Sequence, residues 1–142
     1  MAVNFFAEEV TMPPVDKMAV RRWIKSVAAG YGRTAGALTY IFCTDDKILD
    51  VNSAFLQHDY YTDIITFDYS EGTRISGDLF ISLDTVRSNS QQFGATFTDE
   101  LLRVMIHGVL HLCGLTDKCE VEQLRMREAE NDALKIYAHN CK

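Results

Sequence analysis

A mixed four-stranded sheet packed with about five helices, in one α/β (α+β) domain, is the architecture this chain predicts. Three observations predict it. Segments of strand-like and helix-like periodicity follow one another in the order β-α-β-α-β-β-α-α-α, as layered α/β domains require. One helical segment is apolar almost all the way round, so it must be central and buried. The length of 142 residues and the 47% hydrophobic content suit a single domain, spanning 1–142, with a sizeable core and argue against disorder.

The elements follow in order. Residues 3–7 read as a first strand. Pro13 and Pro14 then break the chain, and Asp16 caps a helix to about residue 29. Its apolar residues Met18, Val20, Trp23, Ile24, Val27 and Ala28 recur at helical spacing, and Gly30 and Gly32 end it. Residues 38–42 are β-branched and aromatic, a second strand. Thr44 or Asp45 opens a short helix carrying Ile48, Leu49, Val51 and Phe55, and residues 57–61 form a polar, aromatic loop. Residues 64–69 and 77–82 read as a hairpin of strands three and four, joined by the turn chemistry of residues 70–73.

Residues 84–93 read as a polar helix that Gly94 ends. Thr96 or Thr98 starts the buried helix, whose positive end suits Asp99 and Glu100. Leu101, Leu102, Val104, Met105, Ile106, Val109, Leu110 and Leu112 leave it little polar surface. A final helix covers about residues 120–138, with Val121, Leu124, Met126, Ala129, Ala133, Leu134 and Tyr137 facing inward.

The buried helix carries the most informative pattern. His107 and His111 are four residues apart, one above the other on the same face, so both imidazoles can reach one cation. Gly114 follows where a helix needs a residue that tolerates positive φ in order to stop. The chain can then double back and present Asp117 to the same ion. Three protein ligands leave a fourth position open, as a hydrolytic metal site requires. Cys119 is a rival for the third place, because thiolate also binds zinc. Gly108 stands where H-E-x-x-H zinc peptidases carry their glutamate base, which argues against proteolysis.

Composition bounds the function further. Net charge is −6 and the pI is about 5.1, which counts against nucleic-acid binding driven by bulk charge but not against a local basic groove. Cys43, Cys113, Cys119 and Cys141 form no C-x-x-C pair and are expected to be free thiols. No apolar run is long enough to cross a bilayer, and the first residues lack the basic start and apolar stretch of a signal peptide. A cytoplasmic location is the expectation.

With these residues in place, the chain resembles the YbeY family of single-strand endoribonucleases. That family carries H-G-x-L-H-L-x-G-[YF]-D-H, and His107, Gly108, Leu110, His111, Leu112 and Gly114 match without a gap. Upstream, the family pattern N-x-x-[YF]-R-G-K-D-x-x-T-D-V-L-S-F meets Asn52, Phe55, Asp59, Thr62, Asp63 and Phe67, and its G-D-[IL]-x-I strand meets Gly77, Asp78, Leu79 and Ile81. Glu100, seven residues before His107, sits where the family often has an acid. The resemblance runs from about Leu38 to Ala133.

It implies a zinc-dependent endoribonuclease of ribosomal RNA maturation, acting at the 3′ end of small-subunit RNA and in ribosome quality control. One Zn²⁺ ion would be held by His107, His111 and Asp117. The implied partners are single-stranded RNA and the small ribosomal subunit, with neither DNA nor a membrane. Asp63 and Asp78 are the candidate catalytic bases, and each is also explained by a turn cap or a strand-end hydrogen bond. Tyr60 and Tyr61 are candidates to stack RNA bases. Asn52 is expected to hold the loop that follows it.

Three positions depart from the family. Asp117 replaces the third histidine, and an anionic ligand should make a bound water less acidic; an alignment shifted by one residue would put Lys118 there instead. Leu56 replaces an arginine implicated in activity, with His58 or Lys118 the candidates to compensate. Asp68 replaces a proline, read as neutral. Two other function classes stay open: a non-catalytic ribosome-associated assembly factor with a structural zinc, and a zinc hydrolase of a small non-RNA substrate.

Overall fold

Period-two alternation of side chains organises the sheet, because successive residues of a strand point to opposite faces. The computed structural model describes residues 3–56 and 62–141. The expected loop at 57–61, with His58, Tyr60 and Tyr61, lies outside the described residues, as do the side chains of Phe55 and Leu56. The elements are β1 (Val3–Ala7), α1 (Lys17–Gly30), β2 (Thr34–Cys43), α2 (Asp45–Val51), β3 (Ile64–Asp68), β4 (Arg74–Ser82), α3 (Leu83–Phe93), α4 (Phe97–Leu112) and α5 (Glu120–Ile136). A π-helical turn, Asn52–Leu56, extends α2.

The four strands lie in the order β1-β2-β4-β3. β1 pairs parallel with β2, and β2 parallel with β4. β3 and β4 form the expected antiparallel hairpin, with Ile64 opposite Ile81 and Asp68 opposite Gly77. One face carries Val3, Phe5, Leu38, Tyr40, Phe42, Ile75, Leu79 and Ile81 into the main core, against α1 and α4. The other carries Cys43, Ile65, Phe67 and Phe80 into a smaller cluster with Ile48 and Val51 of α2. All eight apolar residues expected to bury on α4 do so.

Local chemistry starts the helices where the sequence places it. Asp16 accepts the Ala19 N–H at 3.0 Å, Thr44 that of Lys47 at 3.2 Å, and Thr96 that of Asp99 at 3.1 Å. Each such cap contributes about 1 kcal/mol. Ser82 caps α3 in the same way, and Gly94 stops it with a left-handed φ of 66°. Two buried hydrogen bonds then fix the layers. The Tyr40 hydroxyl donates to the Met105 carbonyl of α4 at 3.0 Å, and the Trp23 indole donates to the Ala133 carbonyl of α5 at 2.6 Å.

Three expectations are corrected. Val121 and Leu124 are 56% and 66% exposed, because burial on α5 begins only at Met126, where the helix comes against the core. Met18, in the first turn of α1, is likewise exposed. β2 begins at Thr34, four residues earlier than its β-branched stretch, because pairing with Arg74 and Ile75 of β4 satisfies backbone groups whose side chains have little strand preference.

Gly77 marks the tightest contact in the sheet. A Cβ there would collide with the Phe67 carbonyl of β3, and backbone cannot move aside as a side-chain tip can. Gly77→Ala is therefore expected to destabilise the protein by about 2–3 kcal/mol, lowering the melting temperature by roughly 5–10 °C. Gly30→Ala is the control: outside its chain neighbours and its own helix backbone, no atom lies within 4 Å of the added methyl, and at the last residue of α1 alanine is tolerated at least as well as glycine. Thermal denaturation of the two variants checks the contrast.

Candidate metal centre

The site grows out of the one polar strip on α4. Arg103, His107 and His111 recur every four residues, so they stack along one side of a helix whose other faces are buried. Gly108 lies against the sheet. A Cβ at that position would stand 2.5 Å from the Leu79 side chain and 2.8 Å from that of Ile64. The residue in the peptidase glutamate slot thus allows close approach of helix to sheet.

The helix ends as the sequence predicts. Gly114 takes φ 105°, its N–H bonds the His111 carbonyl at 3.0 Å, and the Leu115 N–H reaches back to the Leu110 carbonyl at 3.1 Å. This pair of bonds is a Schellman stop. It turns the chain so that Asp117 faces both histidines: its Oδ2 is 3.5 Å from His107 Nε2 and 3.6 Å from His111 Nε2. The two Nε2 atoms are 3.0 Å apart. Among the described residues, these three side chains form the group that could hold a metal ion.

Both rings are oriented from behind. His107 Nδ1 lies 2.7 Å from Glu130 Oε2, and His111 Nδ1 lies 2.9 Å from the Leu115 carbonyl. Carboxylate and carbonyl only accept, so each Nδ1 carries a proton and donates it. In the neutral rings both Nε2 lone pairs then face each other and the Asp117 carboxylate. Only a positive charge between them, a proton or a metal ion, makes that favourable. A tetrahedral zinc with bonds of roughly 2.0–2.1 Å keeps its ligand atoms about 3.3 Å apart, which the observed separations of 3.0, 3.5 and 3.6 Å bracket. The donor set fits such an ion.

Glu130 holds this arrangement together. Its side chain is 8% exposed, a position where an ionised carboxylate needs partners. Two hydrogen-bond it, His107 and Arg103 Nη1 at 2.9 Å, with Arg127 Nη1 farther off at 3.8 Å, while Arg103 Nη2 donates to Asn131 at 2.8 Å. Burial pushes the Glu130 carboxyl up, but the hydrogen bonds from His107 and Arg103 outweigh it and hold the group below its usual value. For His107, burial pulls the other way and is outweighed by Glu130, Asp63 and Asp117, leaving the imidazole above its usual value. Sequence reading missed Glu130 and Arg103. The available signal was a carboxylate four residues after Met126 and three before Ala133, on the buried stripe of α5.

The other sequence candidates divide. Asp63, Thr62 and Asn52 line the same cavity as the three metal candidates, a cleft of about 580 Å³. Burial pushes the Asp63 carboxyl above its ordinary range, against the opposing pull of His107 and of the backbone N–H groups of Asp63 and Ile64. Asn52 is buried at the end of α2. Asp78 is not brought to the site: it alternates with Gly77 and Leu79 to the other face of β4, where it accepts a hydrogen bond from the Tyr69 hydroxyl at 3.3 Å. Lys118 and Cys119 are exposed, and Cys119 is not in the group of His107, His111 and Asp117; the Lys118 backbone N–H bonds Glu122. Among the described residues, no helix is long and apolar enough to cross a membrane.

Comparison with known proteins identifies the family. The family model described as Endoribonuclease YbeY matches residues 6–138. The chain is 61% identical over 134 residues to the Endoribonuclease YbeY of Bacteroides thetaiotaomicron, covering 94% of this chain and 98% of that relative. It is 56% identical over 142 residues to the protein of the same name from Parabacteroides distasonis, covering 100% of each. The solution structure of TM1509 from Thermotoga maritima superposes with a TM-score of 0.64 at 22% identity, over 97% of this chain and 93% of that one, and shares its fold. On this match along nearly its whole length, and on relatives identical at more than half their positions, the chain belongs to the YbeY endoribonuclease family.

Proposed function

We propose that this protein is a metal-dependent endoribonuclease that cuts single-stranded RNA, with His107, His111 and Asp117 holding one zinc ion. The observation that carries the reading is the convergence of two Nε2 lone pairs and a carboxylate oxygen in an open cleft, each ring anchored from behind by its Nδ1 proton. Zinc held there supplies Lewis acidity toward a phosphodiester. Family membership supplies the substrate class, and maturation of ribosomal RNA at the small subunit is the cellular role we assign to it.

The chain's own residues do the rest. Glu130 fixes the tautomer of His107 so that Nε2 faces the cleft. Asp63, beside His107 in the same cleft, takes the proton of the attacking hydroxyl or water on its carboxylate; a carboxyl lifted by burial is a better base near neutral pH than an ordinary aspartate. Asn52 and Thr62 line the approach to it. Gly108 leaves no carboxylate in the peptidase position.

The direct test is cleavage of a labelled single-stranded RNA by purified protein beside His111→Ala and Asp63→Asn prepared identically. Wild type should cut, lose activity to a chelator and regain it with zinc. His111→Ala should lose cleavage and bound metal together. Asp63→Asn should keep the metal and lose about 10²-fold or more in kcat. Equal cutting by wild type and His111→Ala would overturn the assignment.

Glu130→Gln should weaken zinc binding about 10- to 100-fold while leaving all three ligands in place. Competition with a chromophoric chelator reads this without reference to RNA. An unchanged affinity would mean that Glu130 serves the fold alone.

The pH dependence has a definite sign. A His107 pKa raised above its usual 6.5 stabilises the metal-free fold below that value, and this stability is lost as pH rises through the raised pKa. Glu130, lowered from 4.5, contributes stability above that value and loses it as pH falls through its lowered pKa. Zinc competes with the proton on His107 Nε2, so its stabilising effect grows in the direction in which the proton leaves. The zinc-induced rise in melting temperature should therefore be small near about pH 5.5 and large near about pH 7.5. Thermal melts with and without zinc across that range measure it.

A further inference from the structure

His107 and Asp63 also line a second cavity, of about 300 Å³, which reaches to the end of α3. Its volume is at the small end of the range for ligand pockets. Phe93, the last residue of α3, lines it with a ring that is 59% exposed. Asn89, one turn earlier, and Arg127 of α5 complete the outer wall. The two cavities share Asp63 and His107, so a strand lying across those residues would enter both.

We propose that this cavity is a nucleotide subsite for single-stranded RNA, taking the residue next to the scissile phosphate, with the base stacked on Phe93 and the flanking phosphate on Arg127. The assignment rests on the endoribonuclease reading. Single strands are recognised largely by stacking on aromatic rings, and a ring already at the surface is available for it. Arg127 is available for a phosphate: its Nη1 is 3.8 Å from Glu130 Oε1, beyond hydrogen-bonding distance, while Arg103 engages that oxygen at 2.9 Å. Its side chain is 56% exposed. The Asn89 amide can both donate and accept at a base edge. Of the three acids that line the cavity, Glu130 is matched by Arg103 and His107, burial raises the Glu100 carboxyl above its ordinary value, and Asp63 stands beside His107. In a chain of net charge −6, an arginine beside the cluster is where a phosphate can approach.

The test is fluorescence anisotropy of a short labelled single-stranded RNA with the full chain carrying His111→Ala, which keeps the strand uncut. On that background Phe93→Leu should weaken binding about tenfold and Phe93→Trp should restore it. Arg127→Ala should weaken binding about fivefold and lower the salt dependence by about one phosphate contact. Thermal melting should be unchanged for all three variants, since both positions are exposed. Binding by Phe93→Leu within about twofold of the parent, equal losses for Leu and Trp, or no RNA binding by the parent would each overturn the subsite. Failure of the nuclease reading is seen separately, as equal cleavage by wild type and His111→Ala.

Discussion

The structure depends on burying α4. Leu101, Met105, Ile106, Val109 and Leu110 are fully inaccessible, and each such side chain contributes roughly 1.5–3 kcal/mol on leaving water. Their sum exceeds what any helix cap or surface ion pair supplies here, so the other elements arrange themselves to cover this helix. The sheet lies beneath it, closely enough that position 108 has no room for a side chain, and α1, α3 and α5 close around it. The strip left polar is the line of Arg103, His107 and His111. The position of the candidate site is thus a by-product of packing: it lies where an otherwise apolar helix carries nitrogen.

A polar strip beside a core creates its own demand. Glu130 comes from α5 with almost no solvent contact, and an unpaired carboxylate there would cost several kcal/mol. Arg103 and His107 remove that cost, and in doing so set the ring of His107. The Leu115 carbonyl sets the ring of His111 as part of the helix stop. Stability and pre-organisation are therefore served by the same contacts. Both imidazoles are held in orientation by these contacts, so binding a cation between them would require little ordering of side chains.

The charge balance makes RNA recognition a local matter. The molecule as a whole repels a polyanion, and the strip of acids around the histidines would do so strongly if each stood alone. Instead Glu130 is matched by Arg103 and His107, and Asp117 completes a cluster built to receive positive charge. A carboxylate such as that of Asp117 attracts a cation electrostatically, where an imidazole offers only a lone pair.

Much of this was legible in the amino-acid order. Strand alternation, the capping residues Asp16, Thr44 and Thr96, the all-apolar helix and the His-x3-His-x5-Asp spacing with Gly114 between are local signals, each governed by geometry within a few residues. Other features were not legible. Val121 and Leu124 share the helical spacing of buried residues yet face water, because only the length of core available decides where α5 stops being covered. Asp63 and Asp78 looked alike as aspartates beside strands, and the sheet sent them to different faces. Glu130 stands 23 residues from His107 and touches it because α5 packs onto the core through Met126, Ala129 and Ala133, with the Trp23 indole bonded to the Ala133 carbonyl. The sequence by itself determined the elements and the ligand spacing, since both are set by backbone periodicity. Tertiary structure alone decided which distant charges meet, because those contacts depend on how whole elements pack and not on the residues beside them.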